Sequence, residues 1–143
     1  MLYLGVTGSR ETRDRDRVFH ELTAITREQD TYLIVGDQKS HDPVTGEFYG
    51  LDHLAYSLWT GPDNPQREYV KQFTADWQRY GKRAGAMRNN EMVKWALIAK
   101  GYNPGSTLQW LAFFQHGAAN HGTAHCANLA RRKHIEVTEI WMP

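Results

Sequence analysis

The chain has 143 residues, a formal net charge of +1 and one cysteine, Cys126. That length fits a single domain with a core of its own. One cysteine excludes an internal disulfide, and near-neutral charge gives no whole-molecule field toward nucleic acid or an anionic membrane. Any cationic function must therefore be local, and a reducing cytosol is the expected setting.

The first ten residues, MLYLGVTGSR, lack the long apolar region of a signal peptide. Leu2 to Thr7 reads instead as a buried strand, ended by Gly8-Ser9-Arg10. Asp14 and Asp16 sit where a helix N-terminus favours negative charge. Val18, Leu22 and Ile25 give that helix one apolar face. Tyr32 to Val35 is a second buried strand, stopped by Gly36-Asp37. The polar run GDQKSHDPVTGEFYG follows, longer than a compact α/β unit needs. Leu51, Leu54, Ala55 and Leu58 form the next helical stripe, closed by Gly61-Pro62. Tyr69 to Phe73 reads as a third strand. The stretch ADWQRYGKRAGAMRNNEM runs into a helix carrying Met92, Trp95, Ala96 and Ala99, with Gly101 as its C-cap. Leu108 to Phe114 is the most apolar strand and suits a position covered on both faces. A helix from about Gly122 to Lys133 and a strand from Ile135 to Met142 complete the chain.

Strands and helices thus alternate five times. The expectation is an α/β fold, a three-layer, Rossmann-like, doubly wound parallel sheet of about five strands, in one domain over residues 1–143. Such sheets bind ligands beyond the carboxyl ends of their strands. The segments that follow the strands are the places to look.

Gly8-Ser9-Arg10 joins a glycine that permits close backbone approach to a hydroxyl donor and a fork-shaped cation. As a motif it is neither a Walker A loop nor a dinucleotide fingerprint, and a simple tight turn is an equal reading. The loop HGAANHGTAH, with Gly117 and Gly122, opens the last helix at Gly122-Thr123. Thr123 there caps the helix or bonds a phosphate oxygen. Arg88, read as lying at the start of its helix, opposes the macrodipole unless an anion sits beside it; the plain alternative is a solvated arginine or one paired with Glu91. Arg79, Lys82 and Arg83 read as a solvated rim. Trp95 and Trp110 read as core, whereas Trp77 beside Asp76 is placed to meet a base. His121, His125 and Cys126 are candidate metal ligands, but no second cluster completes a tetrahedral site. No metal is expected.

These blocks resemble the SLOG superfamily, in its YspA-like, cpYpsA-related branch, akin to the Lonely Guy phosphoribohydrolases and the DNA-processing protein DprA. The resemblance rests on Gly8-Ser9-Arg10, Gly50-Leu51-Asp52 with Ala55, Ala75-Asp76-Trp77, Tyr80-Gly81-Lys82, Ala84-Gly85, Arg88-Asn89 with Met92, Ala112-Phe113 and Gly122-Thr123. It implies a nucleotide-derived ligand, such as an NAD- or ADP-ribose-like molecule, with no further cofactor, and a homodimer. The implied ligand-facing set is Gly8, Ser9, Arg10, Gly36, Asp52, Asp76, Trp77, Arg88, Asn89, Gly117, Gly122 and Thr123. Phosphate would lie on Gly8-Ser9-Arg10 and Gly122-Thr123, with Asp52 or Asp76 accepting from a ribose hydroxyl.

The chain departs from the pattern twice. An insertion at about 37–49 separates Gly36-Asp37 from Gly50-Leu51-Asp52. Lonely Guy enzymes also carry a Gly-Gly-x-Gly-Thr-x-x-Glu motif, and its glutamate position is Cys126 here. Binding without turnover is therefore the leading expectation. The alternative is N-glycosidic cleavage by Arg88 and Asp76, with single-stranded nucleic acid a further alternative that the neutral charge disfavours.

Overall fold

A computed structural model describes residues 1–143. In chain order the elements are β1 (Leu2–Gly8), α1 (Arg15–Thr26), β2 (Thr31–Gly36), β3 (Ser40–His41), β4 (Phe48–Tyr49), α2 (Leu51–Trp59), β5 (Val70–Phe73), α3 (Trp77–Tyr80), α4 (Ala84–Tyr102), β6 (Thr107–Gln115), α5 (His121–Arg132) and β7 (Glu136–Met142). A 3₁₀ turn over Gly81–Arg83 joins α3 to α4.

Five strands form one sheet in the order β5-β2-β1-β6-β7, and every pairing is parallel. This is a Rossmann-like α/β sheet. Its central strand, β1, is buried along almost its whole length, because helices cover both faces. Alternate residues of β1 separate the two layers. Leu2, Leu4 and Val6 join Val18, Leu22, Leu51, Leu54 and Trp59 of α1 and α2 in one core. Tyr3 joins Met92, Val93, Ala96, Leu129 and Ala130 of α4 and α5 in the other. Gly5 sits opposite Trp110 on that second face. A Cβ there would come within 2.2 Å of the indole ring, so glycine makes the room that lets a fully buried tryptophan lie on the strand next to it.

The chain moves outward from β1 through β2 to β5, then α4 carries it back to β6 on the other side of β1. The loops leaving β1 and β6 therefore diverge to opposite faces, which makes the β1–β6 boundary the switch point.

Several boundaries differ from the sequence expectation. The helix carrying Met92 starts at Ala84, so Arg88 lies beyond its first turn. Gly101 is inside that helix, not its cap. Asn103 is the cap instead, donating from its side chain to Ala99 O at 2.8 Å and to the Tyr3 hydroxyl at 2.6 Å. The polar insertion contains a small antiparallel hairpin, β3–β4. α5 begins at His121, one residue before the expected Gly122, and its N-cap is Asn120, not Thr123.

Candidate functional site

At the end of β1 the chain is tied down rather than free. Ser9 extends the ladder by donating its N–H to Phe113 O at 3.3 Å. Its buried hydroxyl accepts from Glu11 N at 3.0 Å, which closes a local turn. Its carbonyl accepts from Leu51 N at 3.0 Å, and Gly50 N donates to Thr12 O at 2.8 Å. The start of α2 is thus stitched to the β1 loop. Gly50 holds a φ of 107°, with the Arg10 carbonyl 3.2 Å from where a Cβ would stand. Both facts call for glycine. The insertion braces the same loop. Ser40 Oγ donates to Arg10 O at 3.0 Å, Arg13 pairs with Asp42 at 3.2 Å, and Arg13 stacks 3.7 Å over Tyr49. The Arg10 side chain remains exposed.

The facing wall comes from the end of β6. Asn120 takes a left-handed φ of 58° and staples the loop shut. Its Oδ1 accepts from Gln115 N at 3.0 Å, and its Nδ2 donates to the carbonyls of Gln115 and Ala118 at 2.9 and 3.0 Å. With that side chain turned back, no side chain caps α5. The N–H groups of His121, Gly122 and Thr123 have no backbone acceptor. A groove of about 350 Å³ runs between this helix start and the Gly8-Ser9-Arg10 loop, with Gln38 at its side. Uncapped first-turn N–H groups present partial positive charge to whatever occupies it.

Arg88, Asp52 and Asn89 lie beside the groove. Arg88 and Asp52 are each only 7% exposed. Arg88 rises from α4 on one face of the sheet and Asp52 from α2 on the other. They meet over Gly36, where a Cβ would fall 2.5 Å from Arg88 Nη1 and 2.6 Å from Asp52 Oδ2. Arg88 Nε donates to Asn89 Oδ1 at 3.1 Å. Arg88 Nη1 stands 3.6 Å from Asp37 Oδ1 and 3.9 Å from Asp52 Oδ2, and it has no hydrogen-bond partner. Asp52 Oδ2 accepts from Gln38 N at 3.1 Å. Burial pushes the Asp52 carboxyl up to about 6, against the pull of the Arg88 charge and the Gln38 N–H. Loss of hydration outweighs the imperfect ion pair, as expected where charges are buried without close contact. Asn89 links the helices by placing its Nδ2 3.5 Å from Gly122 O and 3.2 Å from His125 Nδ1.

Cys126 lies behind this floor, fully buried. Burial pushes its thiol up to about 12, although Thr7 and the Arg88 charge pull the other way. It is a protonated, packed side chain and not a nucleophile. No group of three or more His, Cys, Asp or Glu is placed to hold a metal.

The structure gathers Gly8, Ser9, Arg10, Gly36, Asp52, Arg88, Asn89, Gly122 and Thr123 around the groove and its floor. Asp76, Trp77 and Gly117 are not brought there. Asp76 is the N-cap of α3 and accepts from Arg79 N at 3.1 Å. Trp77 is 47% exposed and leans on Gly85. Gly117 takes a φ of 84° in the turn after β6. The carboxylates beside Arg88 are Asp37 and Asp52, not Asp76. Arg88 also does not stand at a helix end, so its setting is two nearby carboxylates rather than a conflict with the macrodipole. Sequence reasoning pointed to Gly36-Asp37 as a segment that follows a strand but left Asp37 out of the ligand-facing set, and it missed Gln38 next to it. It also missed Asn120, whose signal was an asparagine directly before a helix.

A larger hollow, about 480 Å³, lies between α1 and α2 near Phe19, Leu22, Trp59 and Pro62. Its lining runs the length of α1 from Arg15 to Arg27 and includes the last residues of α2 with the Gly61–Gln66 segment that follows. The groove at the strand ends is the better candidate on chemistry, though not on size. No helix is long and apolar enough to cross a membrane. Fold and groove together define an α/β protein with a Rossmann-like sheet and a switch-point cleft. Comparison with family models, curated proteins and solved structures finds no match.

Proposed function

We propose that the chain is a SLOG-type protein whose switch-point groove binds a nucleotide-derived ligand by its phosphate. ADP-ribose- and NAD-like molecules are the leading candidates. The observation that carries this reading is the uncapped first turn of α5 facing Gly8-Ser9-Arg10 across about 350 Å³. Helix starts of this kind favour anions through both free N–H groups and the macrodipole. The exposed Arg10 supplies a counter-charge. The groove is at the low end of ligand-site volumes, which fits a mononucleotide-sized part inside and the remainder of a larger ligand outside. A homodimer and a cytosolic setting belong to the same reading, through the resemblance.

A denaturation panel with AMP, NAD, ADP-ribose and cyclic nucleotides tests it. A ligand at one hundred times its dissociation constant is expected to add about 2.7 kcal/mol of stability. No stabilisation by any of them counts against the proposal. N-glycosidic hydrolysis is a second reading, favoured by a protonatable Asp52 beside Arg88. It predicts free base, by chromatography, after incubation with AMP or NAD.

A further inference from the structure

Basic side chains from three separate segments converge around one exposed ring. Phe48, in β4 of the insertion, is 43% exposed. Lys39 Nζ stands 4.3 Å from its ring centre, and the rings of His41 and His53 lie 5.1 and 5.8 Å from it. Arg13 and Arg15, at the entry to α1, line a hollow of about 390 Å³ together with Phe48, Tyr49, His53 and Leu54. This hollow shares no lining residue with the switch-point groove, so the two are separate sites.

The charges here are unbalanced, although the whole chain carries only +1. Arg13 is paired with Asp42 and stacked on Tyr49. Arg15 Nη1 donates to Ser57 Oγ at 3.2 Å, a neutral partner. No carboxylate lies within ion-pair distance of Arg15 or Lys39. Glu47 lines the hollow but reaches neither of them. The charged and titratable groups around half-buried His53 are thus Arg13 and Arg15 on the α1 side, and Lys39, His41 and Glu47 from the insertion. Burial, then Lys39, then Arg15 hold the His53 imidazole below its usual value. Cations gathered around an imidazole repel its charged form, and an anion among them turns that repulsion into attraction. A carboxylate offers two oxygens in one plane. A phosphoryl group offers three in tetrahedral directions, which suits donors arriving from three segments. The hollow is larger than a bare phosphate and lies at the low end of ligand-site volumes, which leaves room for a stem against Phe48.

We propose that this hollow is a second anion site, which takes the phosphoryl group of free phosphate or of a small phosphate monoester. Arg15, Lys39 and His53 are its binding residues, and the Phe48 ring is its apolar wall. The site does not depend on the groove reading above.

The test is a titration of the isotope-labelled protein with sodium phosphate, against sodium chloride at the same ionic strength. It is read at the His53 imidazole and at the amides of Phe48 and His53. Phosphate is expected to give saturable shifts there that chloride does not. It is also expected to move the His53 titration to higher pH, because a bound dianion stabilises the imidazolium. Lys39→Ala and Arg15→Ala, both at exposed positions, are each expected to weaken this binding at least about 3-fold. Neither is expected to alter shifts at Gly122 and Thr123. Phenyl phosphate distinguishes the source. Tighter binding than phosphate assigns a monoester with an apolar stem, and equal binding assigns free phosphate. Shifts that chloride reproduces, or a His53 midpoint that phosphate leaves unmoved, would overturn the inference. Saturation at Gly122 and Thr123 alone would overturn it and leave the groove reading standing. Saturation at His53 alone would do the reverse.

Discussion

Asp52 is the residue whose energetics are most exposed to test. Its folded carboxyl titrates near 6 against 3.8 for the free side chain. Folding therefore favours the neutral form. The stability this group contributes is complete below pH 3.8, falls as pH rises toward 6, and is flat above that. The span corresponds to about 3 kcal/mol, because each tenfold change in a protonation equilibrium is worth roughly 1.36 kcal/mol. Asp42 runs the other way, since the N–H groups of Val44 and Thr45, then Arg13, hold its carboxyl below the usual range. The difference between variant and wild type isolates Asp52. In urea unfolding, Asp52→Asn is expected to gain stability relative to wild type as pH rises from 4 to 6. A difference that stays constant across that range would show that burial does not govern this carboxyl.

At the scale of the element, the groove depends on how α5 begins. Asn120 combines a left-handed backbone with side-chain bonds to both backbone groups of Gln115 and to the Ala118 carbonyl. Asn120→Ala loses those bonds and strains the backbone, so it is expected to cost about 2–3 kcal/mol. Asn120→Gly loses the same bonds but relieves the strain, and is expected to cost about 1 kcal/mol less. Equal urea midpoints for the two variants would refute the role of the left-handed turn. The sequence carried some of this. Gly122-Thr123 marked the helix start within a residue, although the asparagine directly before the helix went unread. It did not carry the way the side chain turns back to Gln115, which leaves the helix uncapped. Asp76 also follows a strand, and the role the sequence did not carry is that its side chain caps α3 by accepting from Arg79 N. The hairpin β3–β4 was hidden inside a polar run because its strands are only two residues each, too short for any alternation to show. Its root nevertheless delivers Gln38 N to Asp52 and Asp37 toward Arg88.

For the whole molecule, the alternation of apolar runs and helical stripes was enough to predict the parallel sheet. Strands such as Leu2–Gly8 and Thr107–Gln115 are covered on both faces and so read as near-continuous apolar runs. The order β5-β2-β1-β6-β7 puts the ends of β1 and β6 side by side, and the glycine-bearing loops that follow those two strands line the groove. The meeting of Arg88 with Asp52 was not legible, because it joins helices from opposite faces through the missing side chain of Gly36. Only the folded sheet brings those three residues together.

The central claim is that the groove between the β1 loop and α5 is the binding site. The most direct measurement is amide chemical-shift mapping of the isotope-labelled protein during titration with AMP and ADP-ribose. The account predicts that the largest shifts fall on Ser9, Arg10, Gln38, His121, Gly122 and Thr123, saturating together at one affinity. Shifts centred instead on Phe19, Leu22 and Trp59 in the hollow between α1 and α2, or no saturable shifts at all, would contradict it.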